Sequence, residues 1–272
     1  MSAESFATTV SLSRTRKDRG PRLVGAEFLK LRKRRGLVLS SFGLTVVPML
    51  IGYAVVAVQH ASDPDRHGPG GGLENFVPSI GLLSGLVAIV AILIGVTAGT
   101  GDLRAGVFRE LVITGRSRLL LFAARVPGGL ALVLPFAAAG FLTAAVASIA
   151  LAGAEPTPGL RLLVLTGAWM GLAAALTFVL ALGVSSVVGS AGPSIGVLLG
   201  WQLLLGPLVL GIASLGIVRG LLPGAGLVAL APEALEAQPA PSMSAAAIAA
   251  NLVLWTFVPL AVGAWRTNTR DA

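Results

Sequence analysis

Long apolar runs, separated by short charged stretches, dominate the chain. Six runs reach the length of about 20 residues that a helix needs to cross a hydrocarbon core of about 30 Å, and none contains Asp, Glu or Lys. The runs do not alternate apolar with polar residues as the strands of a membrane barrel do, so they predict helices. The six predicted spans cover residues about 37–58, 78–99, 127–151, 161–188, 194–218 and 245–265.

Composition supports an integral membrane protein. The 272 residues are 55% hydrophobic and 12% charged, whereas soluble domains carry about 25% charged residues. This excludes a soluble globular enzyme, a disordered chain and a nucleic-acid-binding domain. The absence of cysteine excludes disulfides, thiolate metal sites and cysteine nucleophiles. Of the 20 basic residues 17 are Arg, which together with the Ala- and Gly-rich runs indicates a bacterial gene of high GC content.

The distribution of Lys and Arg predicts the orientation, because cytoplasmic loops carry an excess of both. Ten precede the first predicted span, five lie between the second and third, and two follow the sixth. The three remaining basic residues, Arg66, Arg161 and Arg219, lie on the other side. Both ends of the chain are therefore predicted to be cytoplasmic.

The predicted organisation is an all-α polytopic membrane protein. Residues 1–20 are expected to be a disordered cytoplasmic tail, 21–36 an amphipathic helix, 37–265 a six-helix transmembrane domain and 266–272 a second cytoplasmic tail. We expect it in the cell membrane, in contact with lipid, with no nucleic-acid partner.

The segment 21–36 has one apolar and one charged stripe at helical spacing. The stripes consist of Val24, Phe28 and Leu31, and of Glu27, Lys30 and Arg34. One interpretation is a helix that lies in the inner membrane interface, with its basic residues near anionic headgroups. The alternative is a positively charged flank of the first span without a dedicated role.

The segment between the second and third spans is a second patterned cytoplasmic piece. Asp102 is expected to cap a helix, in which Leu103, Val107 and Leu111 recur every four residues. Ser117 is expected to cap the next helix. A long loop of this kind is often functional, although an amphipathic connector on the membrane would also explain its basic residues.

At these residues the chain resembles the permease subunits of type-2 ATP-binding-cassette exporters, especially the compact six-span bacterial class linked to drug and antimicrobial-peptide export. The resemblance depends on Ala26-Glu27-Phe28-Leu29-Lys30-Leu31-Arg32 before the first span and on the stretch from Gly106 to Arg118 after the second. In the second stretch, a family pattern of Gly-Thr-Phe-Arg, Leu-Leu and Ser-Arg stands as Gly106-Val107-Phe108-Arg109, Leu111-Val112 and Ser117-Arg118.

The resemblance implies that 21–36 is an elbow helix, with Glu27, Phe28, Lys30 and Leu31 as its characteristic residues. It also implies a coupling helix within 102–118 that docks on a separate ATPase subunit. Phe108 would be its anchor, and Arg104 and Arg109 its charge partners. The contact set would comprise Arg104, Gly106, Val107, Phe108, Arg109, Leu111, Ser117 and Arg118. A second permease chain, identical or different, would complete the pathway.

Other chemistries find little support in the sequence. None of the three lysines is followed by Ser or Thr, as a Walker-type phosphate loop requires; ATP and Mg²⁺ are therefore expected only on the partner, and this chain is expected not to be an enzyme. No span interior offers a carboxylate, His or Arg for a proton- or ion-coupled carrier. The only histidines, His60 and His67, lie in a loop, so no membrane-embedded catalytic set or metal site is expected.

Small residues predict close helix packing. Gly192, Gly196 and Gly200 recur every four residues in the fifth span, which lets backbones approach closely. Packing within the bundle is the first interpretation, and a subunit interface is the alternative.

The sequence thus predicts a permease that moves a hydrophobic or amphipathic substrate outward with ATP hydrolysed by a partner chain. Two alternatives remain open at this point. One is a membrane anchor or assembly protein that recruits a cytoplasmic partner without transport, and the other is a sodium-coupled carrier.

Overall fold

The fold is an all-helical bundle in the parts of the chain that the computed structural model describes, which are residues 19–104, 117–235 and 241–269. The α-helices, in chain order, are α1 (Arg19–Arg32), α2 (Arg35–Thr45), α3 (Val47–Ser62), α4 (Gly72–Arg104), α5 (Arg118–Ala150), α6 (Leu160–Val188), α7 (Ala191–Gly200), α8 (Gly206–Gly211), α9 (Ala225–Ala229) and α10 (Ala245–Thr269). A π-helical turn at Trp201–Leu205 joins α7 to α8, and 3₁₀ turns lie at Ala213–Leu221 and Glu233–Leu235.

Six helical segments are long and apolar enough to cross a membrane, which makes the chain a multi-pass membrane protein. They are Arg35–Ser62, Gly72–Asp102, Arg118–Ala150, Leu160–Val188, Ala191–Gly211 and Ala245–Thr269. The prediction of six membrane-length apolar helices is thereby confirmed.

The end of α4 and the start of α5 both lie beyond the predicted limits of their spans. The second span was expected to end near residue 99, but α4 continues to Arg104, and the expectation that Asp102 caps a new helix is wrong. The third span was expected to begin near 127, but α5 already begins at Arg118. Both extensions carry charged residues that pair with each other, as described below.

The first span consists of two helices, α2 and α3, with an interruption at Val46. Pro48 follows two residues later and has no N–H to donate to the carbonyl of Leu44. The sequence therefore explains the break in this span.

Helices α4, α6 and α10 pack closely because glycines face their neighbours. A Cβ atom at Gly95 of α4 would lie 2.7 Å from the Phe178 carbonyl oxygen of α6. On the other side of α6, a Cβ at Gly183 would lie 2.5 Å from the Pro259 carbonyl carbon of α10. These approaches join α4 to α6 and α6 to α10, and Phe178 and Leu182 of α6 are fully buried.

The predicted glycine stripe of the fifth span does not make such contacts. A Cβ at Gly192, Gly196 or Gly200 would meet no atom of the described chain within 4 Å. Gly192 and Gly196 are exposed. The packing contact predicted within the bundle is therefore absent among the described residues, because four-residue spacing indicates a smooth helix face but not whether a neighbour covers it.

The fifth span was expected to reach residue 218, but its helix ends at Gly211. The following backbone is irregular, with Gly216 at φ +50°. It is bonded to α10 by Asn251 and by Trp255, whose Nε1 donates to the Leu221 carbonyl oxygen at 2.9 Å. The Asn251 side chain donates to the carbonyl oxygens of Gly220 and Leu222 at 2.9 and 3.0 Å and accepts from the Gly226 N–H at 3.1 Å. Non-helical backbone is tolerated at such depth only when its polar groups find partners in this way.

Candidate functional site

Helix α1 docks on α5 through an apolar face. Leu31 is 1% exposed, and Leu23 is buried against Leu121 and Ala124 of α5. The two backbones approach at Gly128, where a Cβ would lie 2.8 Å from the Glu27 Cβ. The N-terminal helix is thus attached to the bundle along its length, and Leu23, which lies outside the apolar stripe predicted from the sequence, is part of the contact.

Four charged residues from three helices meet beside this contact, and we call them the charged cluster: Glu27 and Lys30 of α1, Asp102 of α4 and Arg125 of α5. The Lys30 ammonium donates to Asp102 Oδ1 at 2.9 Å and also pairs with Glu27. The Arg125 guanidinium donates to Asp102 Oδ2 at 2.7 Å. Each oxygen of the Asp102 carboxylate therefore holds one cation from a different helix.

The centre of the charged cluster is buried. Arg125 is 2% exposed and Asp102 is 6% exposed, whereas the Lys30 side chain is 29% exposed. The Arg125 guanidinium also lies 5.9 Å from the centre of the Phe122 ring, within the range of a cation–π contact. Little water is left to screen the Asp102–Arg125 pair, so each charge depends on the other for its stabilisation.

The charged cluster defines one end of the bundle, and the segment 105–116 begins and ends there. Asp102 lies two residues before the end of α4, and Arg125 lies in the first two turns of α5. Any displacement of the ends of that segment is therefore transmitted directly to both helices. Ser117 stabilises the start of α5, because its hydroxyl oxygen accepts from the Leu120 N–H at 3.2 Å, and this confirms the predicted cap.

The same two helices are also joined at their opposite ends. The Ser148 hydroxyl of α5 donates to the Gly72 carbonyl oxygen of α4 at 2.6 Å. The Gly71 N–H donates to the Leu151 carbonyl oxygen at 2.8 Å. Because α4 and α5 are bonded at both ends, they are expected to move as one unit.

The sequence-predicted site residues divide into two groups. Glu27, Phe28, Lys30 and Leu31 all contact the bundle from α1, and the stripe containing Glu27 and Lys30 contributes to the charged cluster instead of lying wholly on a solvated face. Arg118 donates to the Asn268 carbonyl oxygen of α10 at 3.1 Å.

The rest of the predicted coupling helix lies outside the part of the chain that can be described. Gly106, Val107, Phe108, Arg109 and Leu111 belong to residues 105–116, and Arg104 ends α4 with a side chain that is not described. Their roles stay predictions.

Arg125 is the functional candidate that sequence reasoning missed. It was counted as one of five basic loop residues, and Asp102 was read as a helix cap. The available signal was an isolated acidic residue at the end of one apolar run and an isolated basic residue at the start of the next. Opposite charges in these places can pair across a loop, but spacing alone does not show that the two helices are in register.

No group of three or more His, Cys, Asp or Glu residues close enough to hold a metal ion occurs within 19–104, 117–235 and 241–269. Compared with known proteins, the chain matches no family model, and it shows no significant similarity to any curated protein. What it does must therefore be argued from its own residues.

Proposed function

We propose that this chain is the transmembrane permease subunit of an ATP-driven exporter, with the charged end of the bundle in the cytoplasm. ATP is hydrolysed by a separate subunit that docks on the segment 105–116. The permease itself changes no covalent bond, and its task is to alternate between inward- and outward-facing states as the ATPase binds and releases nucleotide.

The observation that carries the proposal is the buried Asp102–Arg125 ion pair at the base of that segment. A docked subunit that moves the segment pulls on α4 and α5 together, because the pair joins them at 2.7 Å. Lys30 adds α1 to the same unit. Breaking such a pair would leave an uncompensated buried charge, so the two joined helix ends are expected to move together.

The orientation is supported by the charge distribution. The segment 105–116 and the chain before α2 contain most of the Lys and Arg residues, which favours the cytoplasmic side for both. The resemblance of Gly106 to Arg118 to the coupling region of type-2 exporters points to the same side and the same role.

Purification of the tagged chain in mild detergent, followed by mass spectrometry, tests this proposal. We expect a stoichiometric ATPase with a phosphate-binding loop to co-purify. Changing Phe108 and Arg109 together to alanine is expected to remove it, because the variant lacks the apolar anchor and a charge partner of the docking contact.

The control is Arg66→Ala, which removes a basic residue from the loop assigned to the other side of the membrane and is expected to leave the ATPase bound. Recovery of the unaltered chain without any nucleotide-binding partner would contradict the exporter. In that case an anchor or a sodium-coupled carrier would be the better explanation.

A further inference from the structure

A partly open cavity of about 480 Å³ lies between α4, α6, the fifth span from Trp201 to Leu210 and the irregular backbone that follows that span. Gly81 and Gly85 line it from α4, and Thr177 lines it from α6. Its size is within the range of about 300–1,000 Å³ that is typical of small-molecule sites. It is separate from the charged cluster.

The wall of the cavity is uncharged. None of the described residues that line it is Asp, Glu, His, Lys or Arg. Two tryptophans contribute large apolar surfaces, and their N–H groups are already used. Trp169 Nε1 donates to the Leu227 carbonyl oxygen at 2.9 Å, and Trp201 Nε1 donates to the Pro223 carbonyl oxygen at 3.3 Å. An ion bound here would find no counter-charge among the lining residues that the structure describes, so this wall suits a neutral molecule.

Two neutral polar side chains in the wall lack a partner. Gln202 and Thr177 both line the cavity, and neither side chain forms a hydrogen bond with any residue that the structure describes. An amide offers two donors and one acceptor, and a hydroxyl offers one donor and two acceptor positions. In apolar surroundings such groups gain most from a bound molecule that has a hydrogen-bonding group of its own.

Gln202 lies in the one π-helical turn of the described chain, Trp201–Leu205. The Gly206 N–H donates to the Trp201 carbonyl oxygen, five residues earlier. The next residue, Pro207, has no N–H for the Leu203 carbonyl oxygen, which disfavours a continuous α-helix here. Single π-helical turns are rare and occur frequently at functional sites.

We propose that this cavity binds an uncharged amphipathic molecule. Its apolar body lies between α4 and α6, and a hydroxyl, carbonyl or amide group forms hydrogen bonds with Gln202 and Thr177. The residues proposed to bind the molecule all belong to this chain, so binding requires no partner subunit. Only its assignment as the site of the exported substrate rests on the proposed function.

The test uses the purified chain in lipid nanodiscs, with a dibrominated monoacylglycerol as the probe. Bromine quenches tryptophan fluorescence on contact, and the chain has four tryptophans. Replacing Trp255 and Trp265 with phenylalanine leaves Trp169 and Trp201, both of which line the cavity. We expect the fluorescence of this variant to be quenched to saturation as the probe is added.

A matched pair of glycine variants locates the binding. A Cβ at Gly85 meets nothing within 4 Å, so Gly85→Leu is expected to fill open space in the cavity and to abolish saturable quenching. A Cβ at Gly171 of α6 is equally unobstructed, but Gly171 does not line the cavity. Gly171→Leu is therefore expected to bind the probe like the parent.

A substitution at Gln202 tests whether binding depends on a hydrogen-bonding group of the ligand. Gln202→Leu is expected to weaken binding of the monoacylglycerol by about tenfold and to leave a brominated hydrocarbon of equal length unaffected. Quenching that rises without saturation, or that is the same in Gly85→Leu and the parent, would overturn the proposal. So would equally tight binding of the corresponding brominated carboxylate. No ATPase takes part in the assay, so a negative result would leave the proposed function untouched.

Discussion

Replacing Asp102 with asparagine is expected to lower the free energy of unfolding by about 3–5 kcal/mol, because the substitution leaves a buried charge without its partner. Lys30 contributes little to this figure, because its side chain is 29% exposed and keeps its ion pair with Glu27. The buried charge, Arg125, is 2% exposed and accounts for most of the effect. Thermal unfolding of the purified protein in detergent measures the change.

Asp65→Asn is the matched control, because Asp65 is an exposed aspartate in the loop between α3 and α4. It is expected to unfold like the parent. If Asp102→Asn were as stable as Asp65→Asn, the charged cluster would not hold the helices together. Movement of the segment 105–116 would then not be passed to α4 and α5 through the charged cluster.

Replacing Asn251 with leucine is expected to lower the free energy of unfolding by about 2–5 kcal/mol, because it removes the partner of the Gly220 carbonyl oxygen and of the Gly226 N–H. The Leu222 carbonyl oxygen keeps its bond from the Ala225 N–H. Asn251 is 5% exposed and supplies hydrogen bonds to Gly220, Leu222 and Gly226. Leucine has a similar size but none of these bonds. The backbone around Gly226 is expected to open before the rest of the bundle unfolds. Hydrogen exchange at the Gly226 amide is therefore expected to be faster than in the parent.

Asn268→Leu on the same helix is the control, because Asn268 is exposed. It is expected to leave both thermal unfolding and exchange unchanged. Unaltered exchange at Gly226 in Asn251→Leu would show that the irregular backbone is held by other contacts.

Hydropathy was sufficient to place the membrane-length helices. A helix in lipid forms all its backbone hydrogen bonds within itself, so an apolar run of sufficient length predicts a span. The fourth span was expected at 161–188 and is Leu160–Val188. The sixth was expected at 245–265 and is Ala245–Thr269. In both, the apolar run and the helix end near the same residue.

Hydropathy was misleading in two places: where charged side chains pair with each other, and where a side chain forms hydrogen bonds with irregular backbone. Asp102 and Arg125 look like loop residues when each is taken alone, but they pair with each other inside the extended ends of α4 and α5. The end of the fifth span is the opposite case. Its sequence stays apolar to residue 218, but the Asn251 bonds favour a different backbone path after Gly211. Neither contact follows from spacing along the chain.

The sequence predicted that glycines allow helices to pack closely, but it did not predict which glycines do so. Small residues at four-residue spacing indicated a contact at Gly192 and Gly196, which are exposed. Helices α6 and α10 approach closely instead at Gly183 and Gly263, where a Cβ at Gly263 would lie 2.9 Å from the Gly183 carbonyl oxygen. Which face of a helix meets a neighbour depends on the whole bundle.

The proposed function requires that ATP hydrolysed on a partner subunit change the conformation of this chain through the charged cluster. The chain has no cysteine, so Ser84→Cys introduces a single thiol at the cavity wall on α4. The rate at which a maleimide labels that thiol is measured in the complex with its ATPase, first without nucleotide and then with ADP and vanadate trapped after hydrolysis of ATP.

We predict that trapping changes the labelling rate at Ser84→Cys and leaves the rate at Ser62→Cys, at the exposed end of α3, unchanged. Adding Asp102→Asn is predicted to remove the response while the ATPase stays bound. A rate at Ser84→Cys that is the same with and without trapped nucleotide, in a complex that hydrolyses ATP, would contradict the account and favour a membrane anchor.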